Sequence, residues 1–185
     1  VIMRSLSRHL VNWVDQGIAP PESRYPKVND GTLVRAENIA YPSWLDGRNT
    51  TPEPHRAFWP NFGSNWEDEK VLEHGLPHKG HIDVMVPNVD QMGNEVGGIR
   101  LPQLQVPIAT YIPWSLRRGL ENAGEMRDFL GHVHALPIDQ RPRDKAHFLM
   151  RSRDALDHLI EEGFILREDS ERVLRQQSMM WDLAQ

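Results

Sequence analysis

The 185-residue chain contains no cysteine. That excludes a disulfide framework, a thiol nucleophile and a Cys-ligated zinc or iron–sulfur site. The lack of cysteine points to no compartment, since secreted and cytosolic proteins both occur without it. No run approaches the roughly 18 apolar residues that a membrane-spanning helix needs. Basic charge is not in surplus either: 21 Lys and Arg against 26 Asp and Glu leave a formal charge of −5, which disfavours a dedicated nucleic-acid binder. Val1-Ile2-Met3 leads directly into a helical pattern, with no apolar signal-peptide core and small-residue cleavage site.

Two phosphate cradles are missing as well. Neither Gly-x-x-x-x-Gly-Lys-Ser/Thr nor Gly-x-Gly-x-x-Gly occurs, so no nucleotide cofactor is indicated. A serine hydrolase built on an α/β sheet carries its nucleophile on a tight strand-to-helix turn, Gly-x-Ser-x-Gly, where small residues let the turn close. Every serine fails that test. Ser64 follows Gly63 without completing the pattern, and Ser115 stands between Trp114 and Leu116.

What is present begins with an amphipathic helix over about residues 2–16. Met3, Leu6, Leu10, Trp13 and Val14 recur at spacings of three and four, and Gly17 with Pro20-Pro21 ends the pattern. Residues 18–80 form a Pro- and aromatic-rich segment. Prolines at 20, 21, 26, 42, 52, 54 and 60 forbid long helices. Trp44, Phe58, Trp59 and Phe62 argue for an ordered, extended path that lays its rings on something larger. Residues 32–35 read as a short strand after the turn Asn29-Asp30-Gly31, and 66–75 as a short acidic turn or helix. Residues 81–117 read as short strands (82–87 and 104–112) around a turn-rich loop. Over 140–185 the periodicity predicts two helices, about 144–162 and 169–184. The first stripe is Phe148, Leu149, Leu156, Leu159 and Ile160, and the second Val173, Leu174, Met180, Trp181 and Ala184. Asp169 or Ser170 is the expected cap of the second helix.

Candidate functional residues are sparse. Among nine histidines, the densest group is His78-Lys79-Gly80-His81-Ile82-Asp83, and the next is His132-Val133-His134. His78, His81 and Asp83 could converge on zinc from a loop, although surface histidines beside a strand are the plainer reading. Asp90 and Glu95 flank a Met92-Gly93-Asn94 turn, and Arg100 could pair with one of the acids and so order the loop. The composition fits one unit spanning 1–185, of mixed α and β class. Two or three short strands are little sheet for these helices. Either this is a small irregular α+β domain, or its central sheet lies on other sequence.

Several stretches, in order, resemble the carboxy-terminal part of a family of large bacterial and fungal alpha/beta-hydrolase-domain proteins. They are Gly17-Ile18-Ala19-Pro20-Pro21-Glu22-Ser23-Arg24-Tyr25-Pro26, then Asp30-Gly31-Thr32-Leu33-Val34. The strongest starts at Val86-Pro87-Asn88-Val89-Asp90, runs through Gly93-Asn94-Glu95 and ends at Gly98-Ile99-Arg100-Leu101-Pro102. Val106-Pro107-Ile108-Ala109-Thr110-Tyr111, Trp114-Ser115-Leu116-Arg117, Gly163-Phe164-Ile165-Leu166 and Trp181-Asp182 complete the likeness. Met92 and Ile112-Pro113 depart from the family pattern. The resemblance implies that the nucleophilic serine and the catalytic histidine lie upstream, and that the first helix follows the histidine loop. No position here matches the family nucleophile, so no catalytic residue, cofactor or metal is carried over. The implied role is a C-terminal segment or subunit of a serine-hydrolase-like enzyme acting on esters or amides. It would complete the fold against an upstream core or companion chain, or by self-association. The alternative is a stand-alone binding domain without the chemistry. Asp90, Asn94, Glu95, Arg100, Trp114 and Arg117 are the candidate loop or cleft-wall residues.

Overall fold

The computed structural model describes residues 1–39, 41–42, 57–112, 115–117, 126–127 and 131–184. Helix α1 spans Ile2–Gln16. Gly17 ends it at φ 70°, a left-handed position that a residue without Cβ adopts readily, and its N–H reaches the Trp13 carbonyl at 3.0 Å. The chain then runs without regular structure to strand β1, Leu33–Arg35, and a 3-10 turn over Ala36–Asn38. A four-residue helix α2, Trp66–Glu69, precedes strand β2, Met85–Pro87. Next come helix α3 (Pro102–Gln105) and strands β3 (Ala109–Ile112), β4 (Ser115–Leu116), β5 (Met126–Arg127) and β6 (His132–Ala135). Helices α4, Lys145–Glu161, and α5, Ser170–Leu183, close the chain.

The described strands form three antiparallel pairs: β1 with β2, β3 with β6, and β4 with β5. Leu33 lies opposite Pro87, Ala109 opposite Ala135, and Ser115 opposite Arg127. The expected strand over 104–112 is corrected at its first half. Pro102 presets the backbone at the first position of α3, where its missing N–H costs no hydrogen bond. The Leu104 N–H then closes on the Leu101 carbonyl at 2.8 Å, and only residues 109–112 are extended. Strands β4, β5 and β6 were not legible in the sequence, being two to four residues long.

The core sits between α4 and α5 and the elements laid across them. Leu156, Leu159, Phe164, Ile165 and Val173 form one buried cluster, and Val106, Ile108, Phe148 and Ala155 a second. Phe148 is fully buried, with its ring 5.2 Å from that of Trp181. Asp144 caps α4, accepting the His147 N–H at 2.7 Å. Asp169 occupies the N-cap position of α5, as expected, but its side chain makes no capping hydrogen bond. Its carboxylate takes Arg4 Nη1 at 2.5 Å and Arg172 Nη2 at 3.1 Å instead.

Helix α1 docks with its polar face inward. Ser5, fully buried, donates to the Gly163 carbonyl at 2.7 Å, and His9 Nε2 meets the same oxygen at 2.7 Å. Arg4 bridges to Glu168 as well as Asp169. Gly163 suits glycine for two reasons: its φ of +82° strains any residue with a Cβ, and a Cβ would sit tightly at 3.0 Å from His9 Nε2 and 3.2 Å from Pro21. The apolar stripe points away, leaving Met3 74%, Leu10 57%, Trp13 54% and Val14 75% exposed. A surface helix normally does the reverse. The stripes of α4 and α5 are covered by one another and by Val106 and Ile108. Among the described residues, no helix is long and apolar enough to cross a membrane.

Candidate functional site

Residues 88–111 build a connected polar arrangement. Asp90 Oδ1 accepts the N–H groups of Met92 at 2.9 Å and Asn94 at 3.0 Å, and Gly93 turns the chain at φ 76°. Asp90 Oδ2 takes Arg100 Nη2 at 2.5 Å, and that nitrogen also donates to the Leu104 carbonyl at 2.6 Å. Gln105 Nε2 returns to the Arg100 carbonyl at 2.6 Å. The fully buried Asn94 behaves as a false strand. Its Nδ2 donates to the Ala109 carbonyl at 3.1 Å, while its Oδ1 accepts the Tyr111 N–H at 2.8 Å. Thr110 Oγ1 donates to the Met92 carbonyl. Strand β3 is therefore held by β6 on one edge and by this loop on the other. Leaving any of these buried backbone groups unpaired would cost about 1–3 kcal/mol.

The loop forms one wall of a cleft of 430 Å³ whose other wall is the start of α4. Asp90 and Arg100 line it together with Arg141, Arg143, His147 and Arg151. Asn94 lies behind this wall, beneath β3. Glu95 is exposed, and its charge together with burial pushes the Tyr41 hydroxyl up to about 12, burial being the larger cause. Burial alone pushes Tyr111 up to about 12. Arg117 is exposed beyond β4, and Trp114 lies outside the described residues, as does Trp44. A second cleft, of 560 Å³, is lined by residues 21–25, by Gly97 and Gly98 and by Glu162 and Phe164. Arg24 crosses it to Glu162, its guanidinium 5.0 Å from the Phe164 ring centre.

The structure does not bring His78, His81 and Asp83 together as metal ligands. The two imidazoles flank the Phe58 ring at 4.2 and 4.6 Å, while Asp83 Oδ2 pairs with Arg35 Nη2 at 3.2 Å. Among the described residues no group of three His, Cys, Asp or Glu side chains could hold a metal ion.

One contact escaped the sequence reading. Ser115 Oγ on β4 lies 3.1 Å from His132 Nδ1 on β6, within the reach of a nucleophile and its base. The two are 17 residues apart, and no local pattern announces the pairing. Ser115 stands inside a two-residue strand, and among the described residues no helix follows it directly.

Comparison with known proteins gives the setting. A DNA ligase of Pseudomonas fluorescens (strain SBW25) is 28% identical over 97 residues, covering 42% of this chain. The match takes in 12% of that protein, so the chain spans a small part of the curated relative's length. No solved structure matches. The family described as "Alpha/beta hydrolase domain" matches over residues 1–175, and with it the 86–102 stretch that makes the Asp90–Asn94–Arg100 loop. The chain belongs to the alpha/beta hydrolase domain family.

Proposed function

We propose that these 185 residues form the C-terminal portion of a serine-hydrolase-like enzyme for ester or amide bonds, a portion that completes the fold and walls the substrate cleft without its own nucleophile. The observation that carries this reading is the reversed seating of α1. Its polar face is fixed to the α4–α5 turn by Ser5, His9 and Arg4, and its apolar face is left uncovered. Burying Met3, Leu10, Trp13 and Val14 would contribute on the order of 1–2 kcal/mol each. A hydrolase core of the same family, bearing the serine elbow and histidine, is the natural cover. Asp90 and Arg100 are the wall residues, stiffened by the Asn94 pairing to β3.

The test is a serine-directed fluorophosphonate probe applied to the chain, followed by peptide mass mapping. No serine is expected to be labelled. The Ser115–His132 contact favours one other reading, a chain with its own weak nucleophile. Labelling at Ser115 that disappears in His132→Ala would establish that reading and overturn the first. A stand-alone binding domain differs again: it would remain monomeric and bind no hydrolase core. Elemental analysis of chelator-treated protein addresses the zinc alternative, and no stoichiometric zinc is expected.

A further inference from the structure

We infer that the cleft between the 90–100 loop and the start of α4 is a binding site for a small, doubly charged oxyanion, of the phosphate or dicarboxylate kind. Its charge stands against that of the whole molecule. Four guanidiniums, of Arg100, Arg141, Arg143 and Arg151, face one carboxylate, Asp90, in a chain of net charge −5. Asp90 is already neutralised, with one oxygen on two backbone N–H groups and the other on Arg100. Arg143 is likewise paired with Asp144, which leaves Arg141 and Arg151 as the lining guanidiniums without a carboxylate partner among the described residues.

Donor capacity is also left over. Arg151 makes no hydrogen bond or ion pair among the described residues. Arg141 uses Nε on the Leu136 carbonyl and Nη1 on the Ala184 carbonyl, which keeps its Nη2 for a further acceptor. Arg143 is engaged through Nε alone, with Asp144 at 3.2 Å. Arg100 Nε is a buried donor without a partner among the described residues, and so is His147 Nδ1 when that nitrogen carries the ring proton; both residues line the cleft. Buried donors left unpaired are costly, and an oxyanion is the acceptor they lack. Guanidinium forks match carboxylate and phosphate oxygens two at a time. The positive end of α4 adds a field of the same sign. A volume of 430 Å³ suits a small molecule rather than a macromolecule.

The experiment is calorimetric titration of the 185-residue chain with inorganic phosphate and, separately, with succinate, at ionic strength held constant with sodium chloride. Saturable one-to-one binding of either dianion is expected. Phosphate alone would assign a phosphoryl ligand, and succinate alone or both would assign a dicarboxylate-tolerant one. The double variant Arg143→Ala, Arg151→Ala removes two exposed side chains, and circular dichroism checks that it folds. It should weaken binding by about tenfold or more. Arg8→Ala, on exposed α1 at the far end of α4, should leave affinity within about twofold. Three results would overturn the assignment: no saturable binding, equal weakening in both variants, or duplex DNA displacing phosphate at lower concentration.

Discussion

Helices α1 and α4 are both amphipathic, and they are used in opposite ways. α4 buries Phe148, Leu156 and Leu159 against α5 and the 106–108 segment, and it meets solvent with its charged face. α1 spends its polar face on Gly163, Glu168 and Asp169 and turns Met3, Leu10, Trp13 and Val14 outward. The difference separates what this chain stabilises by itself from what it holds in reserve. A stripe at helical spacing says that a helix has an apolar side, but it does not say which molecule covers that side.

The sharpest way to test this contrast is to truncate one residue from each helix. Phe148→Ala should cost about 3–5 kcal/mol in denaturant unfolding, through lost transfer energy and the cavity it leaves. Asn94→Ala comes next, at about 2–4 kcal/mol, because it orphans the Ala109 carbonyl and the Tyr111 N–H. Alkaline pH should act through the two buried phenols. Burial raises Tyr41 and Tyr111 to about 12 in the folded chain. The unfolded chain gives up those protons from about pH 10. Their contribution is therefore complete below pH 10 and falls as pH rises from 10 towards 12. Denaturant midpoints measured across that range should decline, and less steeply in Tyr111→Phe. At neutral pH Tyr111→Phe itself should be neutral or stabilising by up to about 1 kcal/mol, since the Tyr111 hydroxyl is buried without a partner among the described residues. The smallest effect is the counterpart of the first: Trp13→Ser should change the stability of the chain by no more than about 0.5 kcal/mol.

Much of the fold was legible because long periodic segments carry their own signal. The stripes and glycine stops gave α1 as Ile2–Gln16 and α4 as Lys145–Glu161 almost to the residue. β1 followed from the Asp30-Gly31 turn, where Asp30 accepts the Thr32 N–H and hydroxyl and is held below the usual carboxylate range by those bonds. The failures have a common cause. Whether residues 102–105 wind or extend depends on Pro102 and on three backbone bonds, and strands as short as β4–β6 exist only because a distant partner supplies the ladder. At the site, the sequence suggested that Arg100 pairs with Asp90 or Glu95, and the structure pairs it with Asp90. The sequence offered no hint that Arg141, Arg143 and Arg151 would gather opposite, because they arrive from a turn and a helix some 40 to 60 residues later. Asp169 holds the expected cap position, and the distant Arg4 claims its carboxylate.

The most direct test of the central claim is hydroxyl-radical footprinting of α1, read by mass spectrometry, on the chain alone and with a family hydrolase core added. The account predicts heavy oxidation of Met3 and Trp13 in the chain alone and several-fold protection once the core is bound, with Phe148 protected in both. Equal oxidation of Met3 and Trp13 with and without the core, or protection already present in the monomeric chain, would contradict it.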